Sequence, residues 1–233
     1  MKTNLFFAAG MLIAAIATGQ NKELTAIEVT PPSFKSEVPK SISDFLQKNV
    51  EYPPEASVWK HQGTEVVQFV ITPEGKLTDF TVINSVSPDI DKEVIRVLEL
   101  TSGSWMPGTI NGEPASMETE VSMVFMLNPK DDFVEIAKCN MKKGNELLFV
   151  KDNPKRALKY FDWAMNYLPH NETIHAIRGL CKYRLGDENG AESDWQRANL
   201  LAERNGKDFD FKNLAVNSNN LEDFERMLNY VEK

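Results

Sequence analysis

The chain has no basic cluster. Lysine and arginine number 26 against 34 aspartates and glutamates in 233 residues, a net charge of −8, and the isoelectric point is near 5.1. The basic pairs in Met141-Lys142-Lys143 and Pro154-Lys155-Arg156 stand alone in mixed sequence. A nucleic-acid binder needs a positive stripe to neutralise phosphates, so that class of partner is excluded. Histidine is scarce: His61, His170 and His175 are the whole set. The last two are five residues apart, off a common helical face, and no cysteine pair joins them, so no metal site is expected. Neither a glycine-rich phosphate loop nor a Gly-x-Ser-x-Gly elbow occurs. Carboxylates are plentiful but scatter along solvated helix faces. The expectation is a protein without catalytic residues, metal or cofactor.

Long apolar runs are also lacking, with one exception at the front. Lys2 is followed by an uncharged stretch from Leu5 to Gly19. A charged start, an apolar middle and small residues at the end make the pattern of a secretory signal peptide. Ala17 and Gly19 place cleavage before Gln20, which makes residues 1–19 a leader and the rest an exported chain. A membrane-spanning helix wants about 20 apolar residues, and this run is shorter. If retained, it would anchor the chain in the inner membrane, facing the periplasm. No cysteine follows it, which excludes a lipid anchor there.

Residues 20–40 carry Pro31, Pro32 and Pro39 and read as an extended linker, with a short strand expected at Ala26–Val29. Ser41 or Ser43 then caps a helix bearing Ile42, Phe45, Leu46 and Val50, which Pro53 and Pro54 end. Thr64 to Thr72 and Leu77 to Ser85 are rich in β-branched and aromatic residues around Pro73-Glu74-Gly75, which predicts a hairpin. Ser87 or Asp89 caps a second helix whose Ile90, Val94, Val97 and Leu98 form one stripe. From Met117 the chain alternates. Thr119, Val121, Met123, Phe125 and Leu127 share one face, and Glu118, Glu120 and Ser122 the other, a half-buried strand. Residues 41–127 thus run helix, strand, strand, helix, strand. Asn128 to Asp132 form a linker, and everything beyond it is helical in pattern.

Between the second helix and the last strand lies Ser104 to Pro114, SWMPGTINGEP, with Pro107-Gly108 and Asn111-Gly112 as turn signals. Physically, Trp105 is a cap for the core between helix and sheet, its N–H within reach of solvent. The same residues carry a resemblance. Tyr52-Pro53, Ala56, Gly63, Gly75, Ile90-Asp91, Trp105, Pro107-Gly108, Asn111-Gly112 and Pro114 follow one another as in the C-terminal domain of the TonB energy-transducer family. The resemblance covers roughly 90 residues. It implies a small three-stranded antiparallel sheet with helices on one face, placed in the periplasm. It also implies that a segment of a partner, such as an outer-membrane receptor, pairs with the exposed last strand by strand addition. In this chain that edge would be Met117, Thr119, Val121 and Met123, with Glu118 and Glu120 on its solvent face guarding it against promiscuous pairing. Two features depart from the family's pattern. The leader is short, and about 20 residues precede the domain where transducers carry a long proline-rich spacer; fully stretched they reach at most ~70 Å.

In the helical half, Ala157, Phe161, Ala164 and Pro169 lead thirty-four residues on to Ala191, Trp195 and Ala198, with Gly144 and Gly179 ahead of each set. That period, with small–aromatic–small spacing, resembles tetratricopeptide repeats. Alanines let paired helices approach and aromatics fill the space between them. The resemblance implies an all-α stack of two repeats over residues 133–233. Leu221, Phe224, Leu228 and Tyr230 would lie on a terminal capping helix. The concave face, lined by the first helix of each pair, would take a peptide. Cys139 and Cys181 are offset by about 10 Å along those helices, too far for a disulfide, so two separate and mostly buried thiols are expected. Asn171-Glu172-Thr173 matches a glycosylation acceptor by chance at a helix start.

The sequence therefore describes an exported, non-enzymatic α+β domain over residues 41–128 followed by an all-α repeat stack. One reading makes the edge strand the working surface, linked to receptor-dependent transport. The other makes the helical groove the working surface of a periplasmic scaffold, with the first domain only docking.

Overall fold

The computed structural model describes residues 3–7, 27–35 and 41–206. The cleavage point before Gln20 and the capping helix with Leu221, Phe224, Leu228 and Tyr230 lie outside the described residues. The chain divides into two units, residues 1–127 and 128–233.

The first unit contains strands β1 (Thr3–Phe7), β2 (Val29–Thr30) and β3 (Ser33–Phe34), then helices α1 (Ile42–Asn49) and α2 (Pro54–Val58). Strands β4 (Gly63–Ile71) and β5 (Leu77–Asn84), helix α3 (Pro88–Glu99), short strands β6 (Trp105–Met106), β7 (Gly108–Ile110) and β8 (Glu113–Ala115), and the long strand β9 (Met117–Phe125) complete it. The caps are those the sequence signals. Ser41 Oγ accepts from Asp44 N at 3.1 Å and Ser87 Oγ from Ile90 N at 3.4 Å. Each satisfies one of the amides a helix start leaves without a partner. The stripe Ile90, Val94, Val97 and Leu98 is fully buried. It packs with Ile42 and Leu46 of α1, Ala56 of α2, and Val67, Phe69, Ile71, Val121, Met123 and Phe125 of the sheet in one core.

The expected three-stranded sheet is present as β9-β4-β5, all antiparallel, but the sheet has a fourth strand. Its order is β1-β9-β4-β5. Two smaller sheets, β2-β7-β8 and β3-β6, carry the linker onto the loop that contains Trp105. The strand expected at Ala26–Val29 lies at Val29–Thr30, and Ala26 falls outside the described residues. Residues 29–34 are not a free linker. Asn111 explains why: its side chain accepts from Glu28 N at 2.9 Å, and its own N–H donates to Glu28 O at 2.7 Å. Asn111 and Gly112 have φ of +52° and +85° and join the paired residues Ile110 and Glu113. A two-residue hairpin with both φ values positive selects Asn-Gly.

Trp105 fills the centre of this arrangement. It is 3% exposed. Its ring makes edge contacts with Phe34 and Phe69, centroids 5.3 and 5.6 Å apart. The sequence suggested an N–H within reach of solvent; instead it is buried with the ring. It donates to Thr101 Oγ1 at 3.0 Å, and that hydroxyl donates to Leu98 O at 2.7 Å. Leu98 O also accepts from Thr101 N at 2.8 Å, so the threonine relays between the end of α3 and the indole. Gly75, in the β4–β5 turn, approaches the Trp105 backbone so closely that a Cβ there would sit 2.2 Å from Trp105 O.

The second unit contains α4 (Phe133–Asn145), a π-helical turn at Glu146–Val150, α5 (Pro154–Tyr167), α6 (Glu172–Arg184) and α7 (Glu188–Arg204). Asp132, Asn153, Asn171 and Asp187 each accept from a first-turn amide. Asn171 is thus an N-cap, which accounts for the Asn-Glu-Thr match. Ala157, Phe161, Ala164, Ala191, Trp195 and Ala198 are all buried. A Cβ on Gly144 would lie 2.7 Å from the Phe161 ring, and one on Gly179 would lie 2.5 Å from Trp195 Nε1. These glycines mark where neighbouring helices come closest. Pro169 is buried in the connection, and its carbonyl lies 2.9 Å from His175 Nε2. Both thiols are free; Cys181 is buried but Cys139 is exposed, against expectation. Helix α4 buries Phe133, Ala137 and Gly144, and Cys139 falls on its opposite side.

Gly75→Ala is expected to cost the first unit about 3 kcal/mol or more, because positive φ and a backbone clash add. Gly103 also has positive φ, +85°, but nothing lies within 4 Å of a Cβ there. Gly103→Ala should therefore cost only about 1–2 kcal/mol. Urea denaturation of both variants checks the difference.

Candidate functional site

Strand β9 is positioned by nine residues of antiparallel pairing with β4, from Gly63 opposite Phe125 to Ile71 opposite Met117. Of the predicted edge residues, Met117 is half-buried, and Thr119, Val121 and Met123 are 1%, 1% and 0% exposed. Val121 and Met123 point into the core. Their side chains offer nothing outward, so only the backbone of this strand could meet a partner. Thr119 Oγ1 is buried without a hydrogen-bond partner.

The outer side of β9 is not open, which corrects the expected edge. Strand β1 pairs with it antiparallel, Thr3 opposite Met123, Leu5 opposite Val121 and Phe7 opposite Thr119. The apolar leader was legible as apolar, but a β-pairing 116 residues away in sequence leaves no local trace. The charged face is corrected too. Glu118 is exposed and accepts from Gln68 Nε2 at 2.6 Å, whereas Glu120 is 2% exposed and Ser122 3%. Alternation sorts residues between faces and does not reveal whether the second face is covered.

The remaining sequence marks serve the fold. Tyr52 Oη donates to the His61 carbonyl, and the Tyr52 ring meets Phe125 edge-on at 5.5 Å. Pro53 precedes α2, and Gly63 opens β4. Pro107 separates β6 from β7, and a Cβ on Gly108 would strike the Met117 side chain at 2.3 Å.

Two groups escaped sequence reasoning. Glu65 alternates with the core residues Val67, Phe69 and Ile71 and is 0% exposed. Its Oε2 accepts from Val86 N at 2.8 Å, while Oε1 has no partner. Burial pushes its carboxyl up to about 9, a rise the nearby Asp91 carboxylate reinforces and the Val86 N–H opposes. The signal was a lone carboxylate at an inward position of a β-rich run. In the second unit, Asp194 is 3% exposed on α7. Arg178 donates to it through Nε at 2.8 Å and Nη2 at 2.5 Å, and Lys182 Nζ lies at 2.9 Å. Burial alone would raise the Asp194 pKa, but hydrogen bonds from His175 and Arg178 and the charges of Arg178 and Lys182 hold it far below the usual carboxylate range. Among the described residues no group of side chains could hold a metal ion.

A groove of about 440 Å³ lies between the first helices of the two pairs, lined by Met141, Asn145, Glu146, Phe149, Val150 and Ile177. It coincides with the π-helical turn, and Val150 is 77% exposed at its rim. Asn145 Oδ1 has no hydrogen-bond partner there.

The first unit, an antiparallel sheet with helices packed against it, is a small α+β domain. A family model for the C-terminal domain of the Gram-negative bacterial TonB protein matches residues 48–127. That family comprises non-enzymatic energy-transducer and interaction domains. The match covers β4, β5 and β9 of the sheet, α2, α3 and the Trp105 loop, and leaves β1 and α4 to α7 outside it. No curated protein and no solved structure matches the chain. No helix among the described residues is long and apolar enough to cross a membrane.

The Glu65 carboxyl makes stability pH-dependent. The unfolded chain releases this proton above pH about 4.5, while the folded unit holds it to about 9. Between those values the native state binds more protons, so stability falls as pH rises, by up to about 1.4 kcal/mol per unit. Glu65→Gln, which keeps the shape without the proton, should remove that slope; urea titrations at pH 5, 6.5 and 8 check it.

Proposed function

We propose that the chain is an exported protein-interaction module of the TonB type, which captures an extended segment of a partner along the outer side of β9. The observation that carries this reading is the pairing of β1 with β9. It supports the reading because an antiparallel strand of the chain itself pairs on this side. Backbone amides and carbonyls supply affinity in such strand addition. The buried Thr119, Val121 and Met123 then hold the strand rigid rather than contact the partner. The family match to residues 48–127 supports a partner of the kind TonB domains bind, such as a segment of an outer-membrane receptor. The apolar leader supports periplasmic placement after cleavage, or inner-membrane anchorage if it is kept.

A second reading rests on the groove. Two helix pairs in tetratricopeptide-like register, with a half-buried asparagine and exposed apolar rim between their first helices, are suited to an extended peptide. In that reading the helical unit is the scaffold and the first unit docks it.

Photo-crosslinking separates the two. A crosslinking amino acid at Met117 or Glu118 samples the β9 margin beyond the reach of β1, and one at Phe149 or Val150 samples the groove. Adducts in the periplasm from the first pair, identified by mass spectrometry, are expected. Adducts from the groove positions alone would transfer the function to the helical unit.

A further inference from the structure

Strand β1 occupies the surface assigned above to a partner. We infer that Thr3–Phe7 is a built-in competitor, and that the β9 margin opens to an extended, uncharged, antiparallel peptide only when the leader is removed or displaced. This rests on the capture reading of β9.

Three observations support it. The register is continuous over five residues, from Thr3 opposite Met123 to Phe7 opposite Thr119. With β4 on its other side, β9 then has no free side over that span. A sheet margin presents unpaired amides and carbonyls that template pairing with any extended chain, and here the template is filled from within. The occupant has a defined chemistry: Thr-Asn-Leu-Phe-Phe carries no charge and is rich in the residues strands prefer.

Tethering decides the energetics. A segment carried on the same chain competes at an effective concentration on the order of millimolar. A free peptide sees only the fraction of molecules whose margin is open, and its apparent affinity falls by that fraction. Even weak internal pairing therefore outcompetes a partner present at micromolar levels. Removal of residues 1–19 would convert a closed margin into an open one with no other change in the domain.

The test compares three proteins: the full chain, the chain beginning at Gln20, and the full chain with L5P and F6P. Two adjacent prolines remove a ladder donor in either hydrogen-bonding phase. The first readout is amide hydrogen exchange over residues 117–125. It should quicken at least about tenfold in both altered proteins, at the amides directed away from β4. The second is fluorescence anisotropy with a labelled synthetic peptide with blocked ends, Thr-Asn-Leu-Phe-Phe-Ala-Ala. It should bind both altered proteins at least about tenfold more tightly than the full chain. N-methylation of alternate amides in the peptide should abolish binding. Unchanged exchange in both altered proteins would overturn the inference, whatever the peptide does. Faster exchange without peptide binding would overturn the capture reading, and competition with it, while the β1–β9 pairing stood. Equal binding to all three proteins would show that the leader does not guard the margin.

Discussion

The first unit depends on one burial, that of Trp105. A tryptophan is the largest apolar side chain a small domain can enclose, but its N–H must find an acceptor when it is enclosed. Here the acceptor is Thr101 Oγ1, itself bonded to Leu98 O at the end of α3. The indole is therefore tied to the helix terminus, while its ring edge meets Phe34 from the linker and Phe69 from the sheet. Three separate pieces of chain converge on this residue. The neighbouring backbone constraints follow from it. Gly75 has no side chain because the Trp105 carbonyl occupies that space, and Gly75 O in turn accepts from Gly103 N at 2.8 Å. The turn signals on either side of the tryptophan bring the loop back across the linker, where Asn111 binds both backbone groups of Glu28.

Much of this was legible in the sequence because its causes are local. Ser87 followed by Pro88 and two acidic residues specifies a helix start without reference to the rest of the chain, and the Ile90–Val94–Val97–Leu98 spacing specifies its buried face. The Asn111-Gly112 turn is specified by φ alone. What stayed hidden depends on pairings distant in sequence. Nothing in Leu5 or Phe6 announces β9, and nothing in Glu120 announces that its face is covered. Glu65 was hidden for a different reason. Its alternation with Val67 and Phe69 was visible, but a carboxylate among inward positions reads as a break in the pattern rather than as a protonated core residue.

The helical unit shows how a small irregularity can be deduced and then located. Ala157, Phe161 and Ala164 map onto Ala191, Trp195 and Ala198 with a common offset of thirty-four, whereas Gly144 maps onto Gly179 with thirty-five. One residue more lies between glycine and alanine in the first pair than in the second. The glycines must nevertheless sit in the same place, because each meets the aromatic ring of the following helix. A π-helical turn accommodates one residue without moving the contacts on either side. It lies at Glu146–Val150, between Gly144 and Ala157, with Lys151 N donating to Glu146 O at 3.1 Å. The extra residue widens the helix where the groove is, so the irregularity shapes that groove.

Strand β9 poses the sharper problem of how a sheet keeps a margin that must bind and must not aggregate. Charge on the strand is the usual protection, and the two glutamates suggested it. Only Glu118 is exposed to serve that purpose, and it lies outside the span that β1 covers. Over Thr119 to Met123 both faces are buried, so no side chain there can repel an unwanted strand. Protection of those five residues must come from the backbone partner itself. A strand that guards a margin by filling it has to match the ladder as well as a true partner does, and it must not be anionic because it lies beside a buried Glu120. Thr3–Phe7 meets both requirements. The same requirements describe the segment that would replace it, which is why the guard is the best available image of the guest.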